Sequence, residues 1–215
     1  RPAGGAMITA SHNPGEYNGF KLVFGSGEFL NGETGLPEIK RFIGKDIPAK
    51  KNIGKKISKD WSEEYLNFVV KTLKNFAGEG YRKIFIAADA SNGSSGELLK
   101  RFFEKTGIDY FPLFFEPDGS FPNHPPDPLK KESQKKISER ILAQKADFGF
   151  IVDGDGDRII FLDEKGKVLK SDFIYAFLID EILKPGDKVL FSVNSSKIIE
   201  DIARRKGLSA KRIRV

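Results

Sequence analysis

The sequence predicts an α/β fold in which mixed or parallel sheets are sandwiched by helices, and two observations support this prediction. A strand, a Gly-rich turn, a helix and a second strand follow one another between residues 83 and 115. This order is typical of a βαβ unit, whose two strands are parallel and joined by a right-handed crossover. The same order starts again at Lys188 and runs to the end of the chain. We therefore expect the α/β architecture to recur along the chain.

The first 60 residues predict a short strand, a polar loop and a second strand. Met7 and Ile8 lead into the loop Thr9-Ala10-Ser11-His12-Asn13-Pro14, whose polar residues favour a tight turn. Residues 19–24 have the composition of a β-strand and end in a Gly-Ser-Gly turn. A short helix over 36–43, with proline in its first turn, and a Lys-rich linker over 45–59 complete this part.

From residue 61 onward, helices and strands alternate. The predicted helices cover 61–76, 97–105, 132–145, 173–183 and a stretch from Ser195 or Ser196 to about 206, and the predicted strands cover 83–88, 109–115, 147–152, 158–162, 188–193 and 211–215. The first of these helices is predicted from apolar residues at helical spacing, such as Leu66, Val69 and Leu73. The stretch 118–128 is too rich in proline for a helix or an inner strand. The strand before Asp153 brings that residue to its carboxyl end, where open α/β sheets bind ligands.

The composition excludes several classes of site. The chain has no cysteine and two histidines, which removes disulfides, zinc thiolates, thiol nucleophiles and a multi-histidine metal centre. Its net charge of +6 comes from 36 basic and 30 acidic residues spread along the chain, so we expect a solvated surface and no nucleic-acid partner. No apolar run reaches the roughly 18 residues of a membrane span, and no signal peptide is visible. We expect a cytoplasmic protein with no membrane partner.

Two polar stretches carry the candidate chemistry. Ser11 offers a hydroxyl in the first loop, while Asp153, Asp155 and Asp157 place three carboxylates at alternate positions, followed by Arg158. Hard divalent cations such as Mg²⁺ prefer oxygen ligands and are often held by carboxylates together with phosphate oxygens. The guanidinium can hold phosphate oxygens through two parallel hydrogen bonds. Together these groups favour phosphoryl transfer, which depends mostly on positioning and charge neutralisation.

Each stretch also has a simpler interpretation. A serine beside Asn, Pro and Gly is often only a turn or cap residue. The aspartates imitate an EF-hand loop with Glu164 at the twelfth place, but Arg158 occupies the sixth place, which needs Gly, and the flanks predict strands. A solvated acidic turn is a further alternative. The Gly-rich turn 89–96 could hold a phosphate, but it lacks the nucleotide-binding patterns, so we expect a structural role.

The loop T-A-S-H-N-P, the stretch Tyr17-Asn18-Gly19-Phe20-Lys21 and the sequence D-G-D-G-D-R together resemble the α-D-phosphohexomutase family. The resemblance implies that Ser11 is carried as phosphoserine, and that the three aspartates and an oxygen of the phosphoserine hold one Mg²⁺ per active site. It also implies that Arg158 binds phosphate in the catalytic site and that Lys21 is a general acid/base. Work as a base would require a lowered pKa of the Lys21 ammonium. For His12 we predict a positioning or phosphate-contact role, because a sequence neighbour is not well placed as a base for Ser11.

The resemblance covers nearly the whole chain and implies a domain division. Residues 1–60 resemble the end of a first domain, 61–167 a complete second domain with the metal loop, and 168–215 the start of a third. We therefore expect one complete and two partial domains of the phosphohexomutase type, and we expect the remaining domains of the same protein as partners. The stretch 121–128 resembles the F-P-N-H-x-P-D-P segment of the phosphomannomutase/phosphoglucomutase branch. Asn194 stands where many relatives carry a lysine that reaches the substrate.

For the intact protein, the resemblance implies reversible phosphoryl transfer between the C1 and C6 oxygens of a mannose or glucose phosphate. The implied route runs through phosphoserine and a 1,6-bisphosphate, with glucose 1,6-bisphosphate or a similar compound as activator. We expect the 215-residue chain alone to show little or no mutase activity, because the substrate clamp is missing. Two alternatives remain: a Ser/Mg²⁺-dependent sugar phosphatase, which releases phosphate to water, and a non-catalytic Ca²⁺-binding module, which needs only the Asp loop.

Overall fold

The computed structural model describes residues 3–48, 54–77 and 83–214. Within these ranges the strands are β1 (Gly4–Ile8), β2 (Phe20–Phe24), β3 (Phe85–Asp89), β4 (Asp109–Leu113), β5 (Phe148–Val152), β6 (Ile159–Leu162), β7 (Lys188–Ser192) and β8 (Ser209–Ile213). The helices are α1 (Leu36–Lys40), α2 (Ser62–Ala77), α3 (Gly96–Thr106), α4 (Lys131–Gln144), α5 (Ser171–Ile182) and α6 (Ile198–Arg205). The predicted alternation of strands and helices is confirmed.

The central sheet has four strands in the order β4-β3-β5-β6. The pairs β3–β4 and β3–β5 are parallel, and β6 is added antiparallel to β5. Helix α3 forms the crossover between β3 and β4. Gly107 caps its C-terminus, where a left-handed backbone (φ 67°) lets the Gly107 N–H donate to the Phe103 carbonyl. The predicted βαβ unit and the mixed sheet are therefore confirmed.

Helices cover both faces of this sheet. Because side chains alternate along a strand, Ala87 and Ile151 pack with Ile137 of α4 on one face, and Phe150 packs with Phe103 of α3 on the other. Both cores are made of fully or nearly fully buried residues. The buried, nearly continuous apolar runs of β3 and β5 are typical of parallel strands covered on both sides.

Two smaller sheets are formed by strands that come before and after those of the central sheet in the chain. Strands β1 and β2 form an antiparallel pair in which Gly4 faces Phe24 and Ile8 faces Phe20. This pairing extends β1 back to Gly4, earlier than the Met7 start expected from composition. Apolar residues of the pair are largely exposed, with Ile8 at 72% and Phe20 at 69%. Strands β7 and β8 form a parallel pair packed against α5 and α6.

Two further differences concern the ends of elements. The short helix α1 ends at Lys40, and residues 41–43 continue it only as turns. The last strand starts at Ser209, two residues before the predicted start, because Ser209 pairs with Lys188. Residue 215 and residues 49–53 of the predicted linker lie outside the described residues. Among the helices that the structure describes, none combines the length and the apolar character needed to cross a membrane.

Candidate active site

The serine loop and the aspartate loop meet at the carboxyl end of β5. Strand β5 ends at Val152, so Asp153 is the first residue beyond it, and its side chain is fully buried. Gly154 faces the serine loop so closely that an added Cβ would lie 2.6 Å from the Ser11 carbonyl oxygen. The two stretches singled out in the sequence are thus brought into contact across 142 residues of chain.

Ser11 is held in a strained conformation with its hydroxyl on a carboxylate. Its backbone φ is 55°, in the left-handed region that non-glycine residues rarely adopt. The Ser11 Oγ–H donates to Asp153 Oδ2 at 3.2 Å. The other oxygen of Asp153 accepts the Arg158 backbone N–H at 3.1 Å. Strain of this kind is found where the surrounding structure fixes a functional group.

His12 reaches the serine oxygen despite its place next to Ser11. Its Nδ1 lies 3.3 Å from Ser11 Oγ, and its Nε2 lies 3.4 Å from Arg158 Nη1. A guanidinium can only donate hydrogen bonds, so Nε2 is the acceptor and the proton of the neutral ring belongs on Nδ1. This network therefore assigns His12 as a donor to the serine oxygen, which fits the predicted positioning role rather than a base.

Lys21 bridges two of the aspartates. Its Nζ lies 2.9 Å from Asp155 Oδ2 and 2.7 Å from Asp157 Oδ2. These two hydrogen bonds raise the pKa of the Lys21 ammonium. The lowered pKa that a free base requires is therefore absent from this geometry, and Lys21 is held in its protonated form.

The first two carboxylates differ in their electrostatics. Burial, together with the charges of Asp155 and Asp157, raises the pKa of Asp153 against the opposing bond from the Arg158 N–H. Burial also acts to raise the pKa of Asp155, but the hydrogen bonds from Lys21 and Thr9 outweigh it and hold that pKa below its usual value. Neighbouring carboxylates with opposite pKa shifts are typical of functional sites.

The three aspartates fit a divalent cation. One oxygen from each lies within 4.8 Å of the others. Asp155 Oδ1 is buried and has no hydrogen-bond partner among the described residues. A buried carboxylate oxygen without a partner is costly, and oxygen donors suit Mg²⁺. The flanks of the loop are β5 and β6, as expected, and not the helices of an EF-hand.

The turn 89–96 supports the aspartate loop, as the predicted structural role requires. Ser91 Oγ–H donates to the Val152 carbonyl at 2.5 Å, and the Ser94 N–H donates to the Gly154 carbonyl at 2.9 Å. An added Cβ on Gly93 would lie 2.5 Å from the Gly154 oxygen, so only glycine fits there.

Sequence reasoning missed two features beside the site. The first is Thr9, whose Oγ1 donates to Asp155 Oδ2 at 2.7 Å. The only sequence signal for it was its place two residues before Ser11, where a threonine hydroxyl can bond the backbone. The second is a pair between Asp89, at the end of β3, and His124, both almost fully buried. No sequence signal connects these two residues, which meet through the packing of two loops.

The hydrogen bonds of the Asp89–His124 pair favour its ionised form. His124 Nε2 lies 3.2 Å from Asp89 Oδ2, and Nδ1 lies 2.8 Å from the Pro125 carbonyl. Both ring nitrogens therefore face acceptors and both carry protons in the imidazolium form. Burial lowers the pKa of His124, but Asp89 and the Pro125 carbonyl outweigh it, so the net pKa is raised.

Asn194 lies outside this cluster, in the loop after β7. Its backbone N–H donates to Ser192 Oγ at 3.2 Å. The Arg212 guanidinium fixes the same loop through hydrogen bonds to the carbonyls of residues 192, 193 and 195.

Comparison with known proteins places these features in a family. Residues 1–50 match the family model of phosphoglucomutase/phosphomannomutase, alpha/beta/alpha domain I, and residues 63–166 match that of domain II. A phosphoglucomutase/phosphomannomutase of Thermococcus kodakarensis is 33% identical over 216 aligned positions, which cover 99% of this chain and 47% of the relative. The chain spans about half the length of the curated relatives it matches.

Solved structures agree with this match. A phosphoglucomutase/phosphomannomutase family protein of Burkholderia thailandensis superposes with a TM-score of 0.85 at 28% identity, covering 98% of this chain and 44% of that chain. An N-acetylphosphoglucosamine mutase of Aspergillus fumigatus, solved in complex with GlcNAc-6P and magnesium, superposes with a TM-score of 0.64 at 18% identity over 97% of this chain and 55% of that chain. At that identity the fungal structure supports the fold alone.

Proposed function

The chain belongs to the phosphoglucomutase/phosphomannomutase family, and we propose that it carries the phosphoryl-transfer centre of a mutase acting between the C1 and C6 oxygens of a hexose phosphate. The observation that carries this proposal is the contact between Ser11 Oγ and Asp153 within a cluster of three carboxylates. The relatives named phosphoglucomutase and phosphomannomutase support the same reaction.

The proposed cycle needs no net phosphate. Phosphorylated Ser11 passes its phosphoryl group to a free hydroxyl of the sugar phosphate, which gives the 1,6-bisphosphate. The bisphosphate then reorients so that its other phosphoryl group faces Ser11. That group returns to Ser11, and its P–O bond to the sugar breaks as the P–O bond to serine forms. Positioning and charge neutralisation, rather than new covalent chemistry by the protein, are the main requirements.

The side chains divide the proton and charge work. When free Ser11 is the attacking group, Asp153 accepts its proton, because Asp153 Oδ2 already accepts the hydrogen bond of the Ser11 hydroxyl. Lys21 is held protonated, so it donates the proton that the leaving sugar oxygen needs. In the opposite direction, the neutral Lys21 left by that donation accepts the proton of the attacking sugar hydroxyl, and the protonated Asp153 returns its proton to the leaving Ser11 oxygen. His12 donates from Nδ1 to the serine oxygen, and Arg158 offers its half-exposed guanidinium to phosphate.

The three aspartates, with an oxygen of phosphorylated Ser11, would hold one Mg²⁺. The unpartnered Asp155 Oδ1 and the all-oxygen donor set support this cation. When bound, the ion supplies positive charge that neutralises the phosphoryl oxygens.

The substrate, partners and domain division are part of this proposal. A mannose or glucose phosphate is the proposed substrate, with glucose 1,6-bisphosphate or a similar compound as activator. The exposed apolar residues of β1 and β2 support contact with remaining domains of the same protein. We propose the division into 1–60, 61–167 and 168–215, a cytoplasmic location, and little or no mutase turnover by the 215 residues alone.

Phosphorylation of Ser11 is the direct test. The chain and its Ser11→Ala variant are incubated with Mg²⁺ and glucose 1,6-bisphosphate, and their intact masses are measured. We expect a gain of about 80 Da, the mass of one phosphoryl group, that Ser11→Ala abolishes. Ser26→Ala, which changes an exposed turn serine, is the matched control and keeps the gain.

Other outcomes separate the alternatives. A second test uses a protein as long as the full-length relatives. If it releases phosphate to water about as fast as it isomerises the sugar phosphate, the phosphatase is favoured. Cation binding that is unchanged in Ser11→Ala, together with no phosphorylation in any form of the protein, would favour the Ca²⁺-binding module. Absence of phosphorylation in the full-length protein refutes the proposed function.

A further inference from the structure

The Thr9 side chain connects the serine loop to the aspartate loop. Its Oγ1–H donates to Asp155 Oδ2 at 2.7 Å, and the same oxygen accepts the Ser11 backbone N–H at 2.9 Å. The Thr9 hydroxyl has one proton and two lone pairs, so it can accept one of these bonds while it donates the other. The N–H of Ser11 can only donate and the ionised Asp155 carboxylate can only accept, which fixes the direction of both bonds.

The bond to Ser11 supports the strained backbone of the nucleophile. A side chain that accepts the N–H two residues later closes a short local turn. Here the turn leads into Ser11 at φ 55°, a conformation that persists only where neighbours hold it. Thr9 itself is anchored, because its backbone N–H donates to the Gly19 carbonyl at 3.0 Å, just beyond the last β1–β2 pair.

The bond to Asp155 selects which carboxylate oxygen is left for a cation. Oδ2 accepts from both Thr9 and Lys21, whereas Oδ1 is buried and has no partner among the described residues. Rotation of the carboxylate would break both bonds to Oδ2. Partners of this kind orient the ligands of metal sites and contribute strongly to metal affinity.

We propose that Thr9 is a positioning residue that couples the orientation of Ser11 to that of Asp155. It acts through these two residues and does not itself touch the reacting atoms. The inference rests on the proposed function, because it takes the three aspartates as the cation site and Ser11 as the phosphoryl carrier. Its consequence is that cation affinity and serine phosphorylation depend together on one hydroxyl group.

Removal of that hydroxyl tests the inference through metal affinity. Thr9→Val keeps the branched shape and removes the hydroxyl, whereas Thr9→Ser keeps the hydroxyl. We measure Mg²⁺ and Mn²⁺ binding by isothermal titration calorimetry on the full chain, with circular dichroism to establish that each variant is folded. We expect Thr9→Val to weaken the affinity about 10- to 100-fold, and Thr9→Ser to stay near the wild type.

The control is Thr72→Val, which removes a threonine hydroxyl that bonds the Phe68 carbonyl within α2, away from the site. It should leave cation affinity unchanged. If Thr9→Val does not fold, Thr9→Ala replaces it. A folded Thr9→Val chain with wild-type cation affinity overturns the inference while leaving the proposed function intact.

The second readout is the rate of Ser11 phosphorylation by glucose 1,6-bisphosphate at saturating Mg²⁺, followed by intact mass. A purely structural role predicts a loss of thermal stability with an unchanged rate per folded molecule, and that result also overturns the inference. We expect the rate to fall in Thr9→Val and to be restored in Thr9→Ser. A wild-type chain that binds no cation at millimolar concentration would instead refute the cation site itself.

Discussion

The buried pair between Asp89 and His124 gives a prediction in which the sign of the pH dependence can be worked out. We consider Asp89→Asn, which keeps the shape of the side chain and removes its charge. Asp89 is fully buried and the His124 side chain is 1% exposed, so the remaining imidazolium would have no counter-ion. Breaking a buried pair by removing one partner costs about 3–5 kcal/mol, and we take the lower end because the amide can still bond.

The cost of this substitution should depend on pH. The pKa of His124 is raised above its usual value near 6.5 by the folded environment. The stability that the pair contributes is therefore fully present below the unfolded-state pKa and is lost as pH rises through the higher folded-state pKa. Above that range the ring is neutral and the ion pair no longer exists, so Asp89→Asn costs little. The effect of Asp89→Asn should thus be largest near pH 5.5 and smallest near pH 9.

Urea unfolding followed by far-UV circular dichroism at both pH values measures this effect. A loss of about 3 kcal/mol corresponds to a fall in Tm of roughly 6–12 °C for a chain of this size. Asp109→Asn is the matched control, since Asp109 is an exposed carboxylate on the neighbouring strand β4. An NMR titration of His124, assigned against a His12 variant, should give a pKa above 6.5 that falls in Asp89→Asn. A loss of stability that is equal at the two pH values would refute the reasoning.

Two further predictions concern the contact between the loops. In Gly154→Ala the new Cβ would lie 2.6 Å from the Ser11 carbonyl oxygen. We therefore expect weaker cation binding and a free energy of unfolding in urea that is about 1–3 kcal/mol lower. The control Gly119→Ala, whose Cβ would meet no described atom within 4 Å, should change neither quantity. Lys21→Met removes the ammonium that holds the pKa of Asp155 down. A lowered carboxylate pKa contributes stability that is present above the unfolded-state pKa and is lost as pH falls through the folded-state pKa. In metal-free buffer, Lys21→Met should therefore unfold at a lower urea concentration than wild type at neutral pH, and this difference should shrink as pH falls, while Lys21→Arg should stay near wild type. A difference that does not change with pH would contradict this.

The fold was predictable where the sequence pattern is local. The apolar runs of β3 and β5 and the periodic face of α2 were recognised because strand and helix periods are written in neighbouring residues. The end of β5 also placed Asp153 at the correct edge of the sheet. The early starts of β1 and β8 were missed because pairing with β2 and β7, not composition, extends them.

The site was predictable only in part, for the same reason. Ser11 and the aspartates were identified because each lies in a recognisable short stretch. The bond of Thr9 to Asp155 spans 146 residues, and that of His124 to Asp89 spans 35. A threonine or a histidine in a loop gives no sign of which distant carboxylate it will meet. The proton position on His12 was likewise fixed only by the approach of Arg158.

The environments of the carboxylates indicate what a cation would contribute. Asp155 is already compensated by Lys21 and Thr9, which hold its pKa low. Asp153 is more deeply buried, and burial together with the charges of Asp155 and Asp157 raises its pKa. A nearby positive charge favours the ionised form of a carboxylate, so a divalent cation would stabilise the ionised form of Asp153 more than that of Asp155. Because Asp153 also accepts the hydrogen bond of the Ser11 hydroxyl, a cation bound there would act on the same carboxylate that contacts the serine which we propose as phosphoryl carrier.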